Sequence, residues 1–246
     1  MQRTVLGNLK IIVLMAVLAV GTFMVSQAMA IPSTLYDITE FSGTDKYKDT
    51  GAEAAYLTDT DGTTDDATAF LMLEIAGWKD TNAFGIYGFT TDANGDISIT
   101  GMLEVFSGSE DALTSKTIAF DVSTGEAWIS GTSNKVSIGT TFGFYLHDER
   151  TGTDKQYDYW YSHTSLNEDD YDHVMIFDTR DNTVNALLGS DIIVAFEDLP
   201  SGGDEDFRDM VVGITDVAPV PEPATILLFG AGLLGIAGFA RRKVLK

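Results

Sequence analysis

The sequence predicts an all-β fold, a two-sheet antiparallel β-sandwich, jelly-roll-like, with one short helix. Two observations predict it: nine short runs rich in β-branched and aromatic residues, and tight-turn chemistry between them. A third sets its limits, because both ends of the 246-residue chain are apolar and basic-flanked while the stretch between them is intensely acidic.

Residues 1–30 read as a signal peptide. Arg3 and Lys10 precede an apolar run from Ile11 to Val25, and Ala28 and Ala30 supply the small residues that signal peptidase requires before a cut after Ala30. Residues 31–218 then form one acidic β-sandwich domain. Its helix is expected over Ala67 to Ala76, where Thr64 or Asp65 caps the start, acids occupy the first turn and Gly77 suits the stop. The strand-like runs are Phe84 to Phe89, Ile97 to Phe106, Thr117 to Val122, Glu126 to Ser130, Thr141 to His147, Tyr157 to Ser162, Val174 to Phe177, Ile192 to Phe196 and Met210 to Thr215. Asn94-Gly95-Asp96 and Ser123-Thr124-Gly125-Glu126 are turn chemistry between such runs, and short strands at this spacing favour a sandwich. Asp216 to Pro223 reads as a linker.

Residues 219–246 form a tail. Val220-Pro221-Glu222-Pro223 cannot continue a helix and stays extended. The apolar segment 224–240 follows, its 17 residues near the lower limit for a transmembrane helix crossing about 30 Å of hydrocarbon. Arg241, Arg242 and Lys243 open the basic end 241–246, which stays cytoplasmic and leaves the acidic domain facing outward.

Charge excludes one class of partner. The chain carries 37 acidic against 15 basic side chains, a formal charge of -22, and would repel nucleic acid over most of its surface. It has no cysteine, so neither disulfides nor thiol chemistry enter.

The densest acidic cluster runs from Glu197 to Asp209. Glu197, Asp198, Asp204, Asp206 and Asp209 are hard oxygen donors around a Gly202-Gly203 turn, suited to Ca²⁺, which takes about six to eight oxygens. A solvated acidic hairpin loop is the alternative, and residue types alone leave both open. Asp59-Thr60-Asp61-Gly62 and Asp92-Ala93-Asn94-Gly95-Asp96 begin like calcium loops but lack the glycine and glutamate spacing of an EF-hand. Tyr159, Trp160 and Tyr161 form an aromatic run that can stack on sugar rings or, as an ordinary strand, fill the core with alternate rings. The three histidines show no zinc-protease spacing and no nucleophile elbow is present, so no catalytic residue is expected.

Motif, apolar span and basic cluster, in that order, resemble the PEP-CTERM sorting signal. The resemblance implies recognition by an exosortase, passage through the inner membrane with transient anchoring, and delivery to the cell surface or extracellular matrix. A second resemblance rests on Phe196-Glu197-Asp198, Gly202-Gly203-Asp204, Asp206-Phe207 and Asp209, with matching text at Leu73 to Trp78, Asn82 to Tyr87 and Phe142 to Leu146. Over roughly 65–215 the chain resembles a bacterial surface-domain family of unassigned function. That resemblance implies an extracellular β-sandwich and strengthens the calcium reading. The expectation is an exported protein with a structural or binding role, calcium-dependent and associated with exopolysaccharide. A secreted hydrolase acting on polysaccharide is the alternative.

Overall fold

The computed structural model describes residues 49–60, 64–73, 81–150, 157–181 and 189–221. Ala28 and Ala30, Glu222 and Pro223, the span 224–240 and the basic end lie outside these residues. Among the described residues no helix is long and apolar enough to cross a membrane.

The regular structure of the described residues is almost all antiparallel sheet. Its strands are β1 (Ala55–Leu57), β2 (Asp65–Leu73), β3 (Asn82–Thr91), β4 (Ile97–Phe106), β5 (Ser115–Asp121), β6 (Glu126–Ile129), β7 (Val136–Ser137), β8 (Thr141–Asp148), β9 (Tyr159–Tyr161), β10 (Val174–Asp178), β11 (Ile192–Phe196), β12 (Met210–Ile214) and β13 (Val217–Pro219). One sheet runs β13-β1-β8-β3-β4, with β9 also paired to β8; the other runs β10-β11-β12-β2-β5-β6-β7. The sheets share one core: Phe84 of β3 meets Phe196 of β11 edge-on, and Phe120 of β5 stacks on Phe142 of β8 at 5.4 Å. Alternation explains which side chains enter it. On β8, Phe142, Phe144 and Leu146 face the core, while Gly143, Tyr145 and His147 take the opposite face.

Across β3 and β8, Tyr87 is paired with Gly143 and Gly85 with Tyr145. A Cβ at either glycine would collide with the partner ring. The rings therefore lie directly on the glycine backbone, which fixes the register of the pair.

The expected nine strands are all present, and two expectations are corrected. Of the segment predicted as a helix, Ala67 to Leu73 belong to β2, and Glu74 to Ala76 lie outside the described residues. Ala67, Ala69 and Leu71 are fully buried and Asp66, Thr68 and Phe70 are not, a period of two, and the strand is clamped between β12 and β5. Pairing on both edges overrides the helix preference of alanine and leucine. The linker expected from Asp216 is also too early a boundary. Val217–Pro219 is β13, buried throughout and paired with β1, and the Val220 N–H donates to the Ala54 carbonyl at 2.8 Å. The folded domain thus extends past residue 218 to Val220, and the exposed Pro221 follows directly.

Candidate metal centre

β11 and β12 are antiparallel neighbours whose last register pair is Phe196 with Met210, so residues 197–209 form the connection between them. Both strands are continuous apolar runs, Ile-Ile-Val-Ala-Phe and Met-Val-Val-Gly-Ile, buried at every position. They hold the two ends of an acidic loop rigidly side by side.

The loop itself is tightly curled. Ser201, Gly202, Gly203, Glu205 and Phe207 all have positive φ, between 48° and 79°. Three of these carry side chains, in a conformation that costs each of them energy and persists only where surroundings enforce it. Asp169 enforces it at one point, its Oδ2 accepting the Ser201 N–H at 2.7 Å. Phe207 enforces it at another by turning into the interior, where it is 6% exposed. The Tyr171 ring covers Gly202, and the Tyr171 hydroxyl donates to Glu205 at 2.8 Å.

This curl gathers the five carboxylates singled out from the sequence. Glu197 lies with Asp198 and Asp209 in one group, and with Asp204 and Asp206 in another; within each group the ligand oxygens are all within 4.8 Å of one another. Oxygens bound to one Ca²⁺ at about 2.3–2.6 Å are separated by no more than about 5 Å, so either group has the right spread for one ion. The donors are all oxygen, which selects a hard cation over zinc or copper.

Glu197 is the centre of the arrangement. Its residue is 0% exposed, and both carboxylate oxygens are buried with no hydrogen-bond partner. Burial, then the charge of Asp209, push its carboxyl up to about 8. Asp209 is pushed up to about 7 by burial and by Asp198, although it accepts the Asp198 N–H at 2.8 Å. Asp198 is raised by burial, against the opposing effects of Asn82, whose Nδ2 donates to it at 2.7 Å, and of Arg150. Buried carboxylates without donors cost several kcal/mol unless a proton or a cation compensates them. With no divalent cation present, the shifts set a pH dependence. Each raised carboxyl favours the fold only while protonated, so its contribution is complete below the ordinary carboxylate range and is lost as pH rises toward 7 and 8. Melting curves in chelator are therefore expected to move to lower temperature from pH 5 to pH 8. Saturating calcium is expected to remove most of that slope, since bound carboxylates stay ionised in both limits.

Several supporting residues escaped the sequence reading. His173 is fully buried, with Nδ1 at 2.9 Å from the Glu197 carbonyl and Nε2 at 3.1 Å from Asp169, which also holds Ser201. Both ring nitrogens thus face oxygen acceptors. Asn82 and Asp148, register partners on β3 and β8, place Asn82 against Asp198 and tie Arg150 to Asp148 at 2.6 Å. No local signal marks these residues; they lie 24 to 116 positions from the loop residues they touch.

The remaining candidates separate clearly. Trp160 is 1% exposed and packs in the core, stacked at 4.0 Å on His173, so it offers no face to a sugar. Tyr159 and Tyr161 take the opposite face of β9, half-buried, with ring planes within 20° and centroids 5.8 Å apart. Asp92 caps its own hairpin, accepting the Asn94 and Asp96 N–H groups at 2.8 and 2.9 Å, and is a turn residue. A third group, Glu104, His147 and Glu149, is open to solvent, and its His147–Glu149 contact is loose at 3.8 Å. Val220 and Pro221 of the sorting motif follow the edge strand β13.

Comparison with known families identifies two segments. Residues 137–216 match a domain of unknown function, DUF4114, and residues 219–243 match the PEP-CTERM protein-sorting motif. The first match runs from the end of β7 through β12 and contains the whole acidic loop with Asp169 and His173; it is narrower than the 65–215 expected, and leaves Leu73 to Trp78 and Asn82 to Tyr87 outside. The second begins at the last residue of β13. No curated protein and no solved structure matches the chain. The sorting motif makes this an exported protein targeted to an exosortase and sorted at the membrane.

Proposed function

We propose that the chain is a non-catalytic module of the cell surface or extracellular matrix whose acidic loop takes calcium to become rigid. The observation that carries this reading is Glu197: a fully buried carboxylate, both oxygens without a donor, surrounded by four further acids. A cation supplies what the fold leaves out. In this reading signal peptidase removes residues 1–30, the exosortase acts at Pro221 to Pro223, and the domain works outside the cell, where calcium is abundant. Its acidity keeps it soluble and draws divalent cations.

The role we assign is structural or binding, with exopolysaccharide as the partner. Tyr159 and Tyr161 support the second part, since two half-buried, nearly parallel rings on the face of β9 opposite Trp160 suit contact with sugars. The rival reading, a hydrolase acting on polysaccharide, needs two carboxylates in an open cleft. Its strongest acid candidate by environment is Glu197, which is closed to solvent and out of reach of a polymer.

Thermal unfolding in calcium, in magnesium and in chelator tests the reading. A cation bound only by the native state raises the midpoint by mass action, about 3–4 kcal/mol at 100 to 1,000 times the dissociation constant. A saturable rise with calcium that equal magnesium does not reproduce is the expected result. Identical midpoints in all three would overturn it.

A further inference from the structure

We propose that the loop holds two divalent cations, bridged by the carboxylate of Glu197. The proposal rests on the calcium reading above and goes beyond it in number and arrangement.

The donor oxygens fall into two groups that share only Glu197. One group is rooted in the strands: Asp198 continues β11, Asp209 precedes β12, and the Asp198 N–H donates to Asp209 Oδ2 at 2.8 Å. The other belongs to the turn: Asp204 and Asp206, the latter paired with the Arg208 Nε at 2.5 Å. The five oxygens do not form one group within 4.8 Å. The arrangement thus presents two sets of ligands, each with the spread of one Ca²⁺ site. Glu197 belongs to both groups, as a bridge must. Its Oε1 lies against the Gly203 backbone, on the turn side, at the place where a Cβ would stand. Both of its oxygens are buried and unpartnered, so each is available to an ion.

Charge agrees with two ions rather than one. Five carboxylates bring five negative charges and Arg208 returns one. Arg150 is committed to Asp148, and His173 faces Asp169, so neither pair changes the balance. Two divalent cations cancel the four charges that remain. One leaves two negative charges, shared between the buried Glu197 and Asp198 and the more open Asp204, Asp206 and Asp209.

Isothermal titration of the full chain with calcium chloride, in mild detergent and 150 mM KCl, decides the number. Two ions per chain are expected, falling to one in Asp204→Asn/Asp206→Asn and to one in Asp209→Asn, with circular dichroism confirming the fold of each variant. If a variant fails to fold, the stoichiometry of the unsubstituted chain decides alone. One ion per chain would overturn the bridged pair while leaving the calcium reading in place. No saturable calcium binding would overturn both.

Discussion

Glu197→Gln is expected to stabilise the calcium-free protein and to abolish its response to calcium. Glutamine keeps the shape of the side chain, removes the charge and provides an amide that can donate to the neighbouring Asp209. In chelator near pH 7 the substitution relieves a carboxyl pushed from its ordinary value up to about 8. By linkage that relief is about 3 kcal/mol, and the melting midpoint rises by about 2–4 °C per kcal/mol for a domain of this size. In saturating calcium the same variant loses the bridging ligand and with it a binding contribution of about 3–4 kcal/mol. The two effects have opposite signs, so the curves of variant and parent cross between chelator and calcium. Glu205→Gln provides the comparison. Glu205 sits on the same loop but accepts from the Tyr171 hydroxyl and belongs to neither carboxylate group, so its calcium response is expected to match the parent. Paired melts of both variants check this. A Glu197→Gln protein that is less stable than the parent in chelator and still responds to calcium would place the residue in ordinary packing.

The second large effect concerns sorting. Replacing Pro221, Glu222 and Pro223 by alanine is expected to leave full-length precursor in the membrane fraction and to eliminate the processed form, read by immunoblot of fractionated cells. The structure explains why the change should be confined to processing. β13 ends at Pro219, and Val220 is held to Ala54 through its backbone N–H, so the last residue of the sandwich precedes the first substituted position. Pro221 is already exposed. The domain keeps its fold while the exosortase loses its motif. Processing at the parental rate would contradict the sorting assignment.

How far residues alone carry such an account is visible strand by strand. The long strands were legible because their alternation is driven by one core: β8 reads Phe, Phe and Leu inward at every second position. The turn at Asp92 was legible for a local reason, since its caps lie two and four residues away. β2 was misread because Ala67, Ala69 and Leu71 satisfy a helical preference as readily as a sheet face, and only β5 and β12 on its flanks decide between them. β1, β7 and β13 have two or three residues each, too few to show a period. β13 also begins right after an acidic turn and ends in proline, which reads as a linker until β1 is seen beside it.

The candidate site divides in the same way. Its five acids were legible as a cluster because they are adjacent in sequence and flank a Gly-Gly turn. Which of them is buried was not. Glu197 and Glu205 look alike in the sequence, and only the strand ends separate them, placing one directly after the end of β11 and leaving the other at the exposed rim. Asn82 and His173 depend on the sandwich bringing β3 and the approach to β10 to the loop.

Hydrogen exchange of the full chain, measured by mass spectrometry in calcium and in chelator, tests the central claim at the residues that make it. The amides from Glu197 to Asp209 are predicted to exchange markedly more slowly in calcium, more so than those of β6 and β7 at the far edge of the same sheet. Exchange across Glu197 to Asp209 that is the same with calcium and with chelator would contradict a cation in the loop.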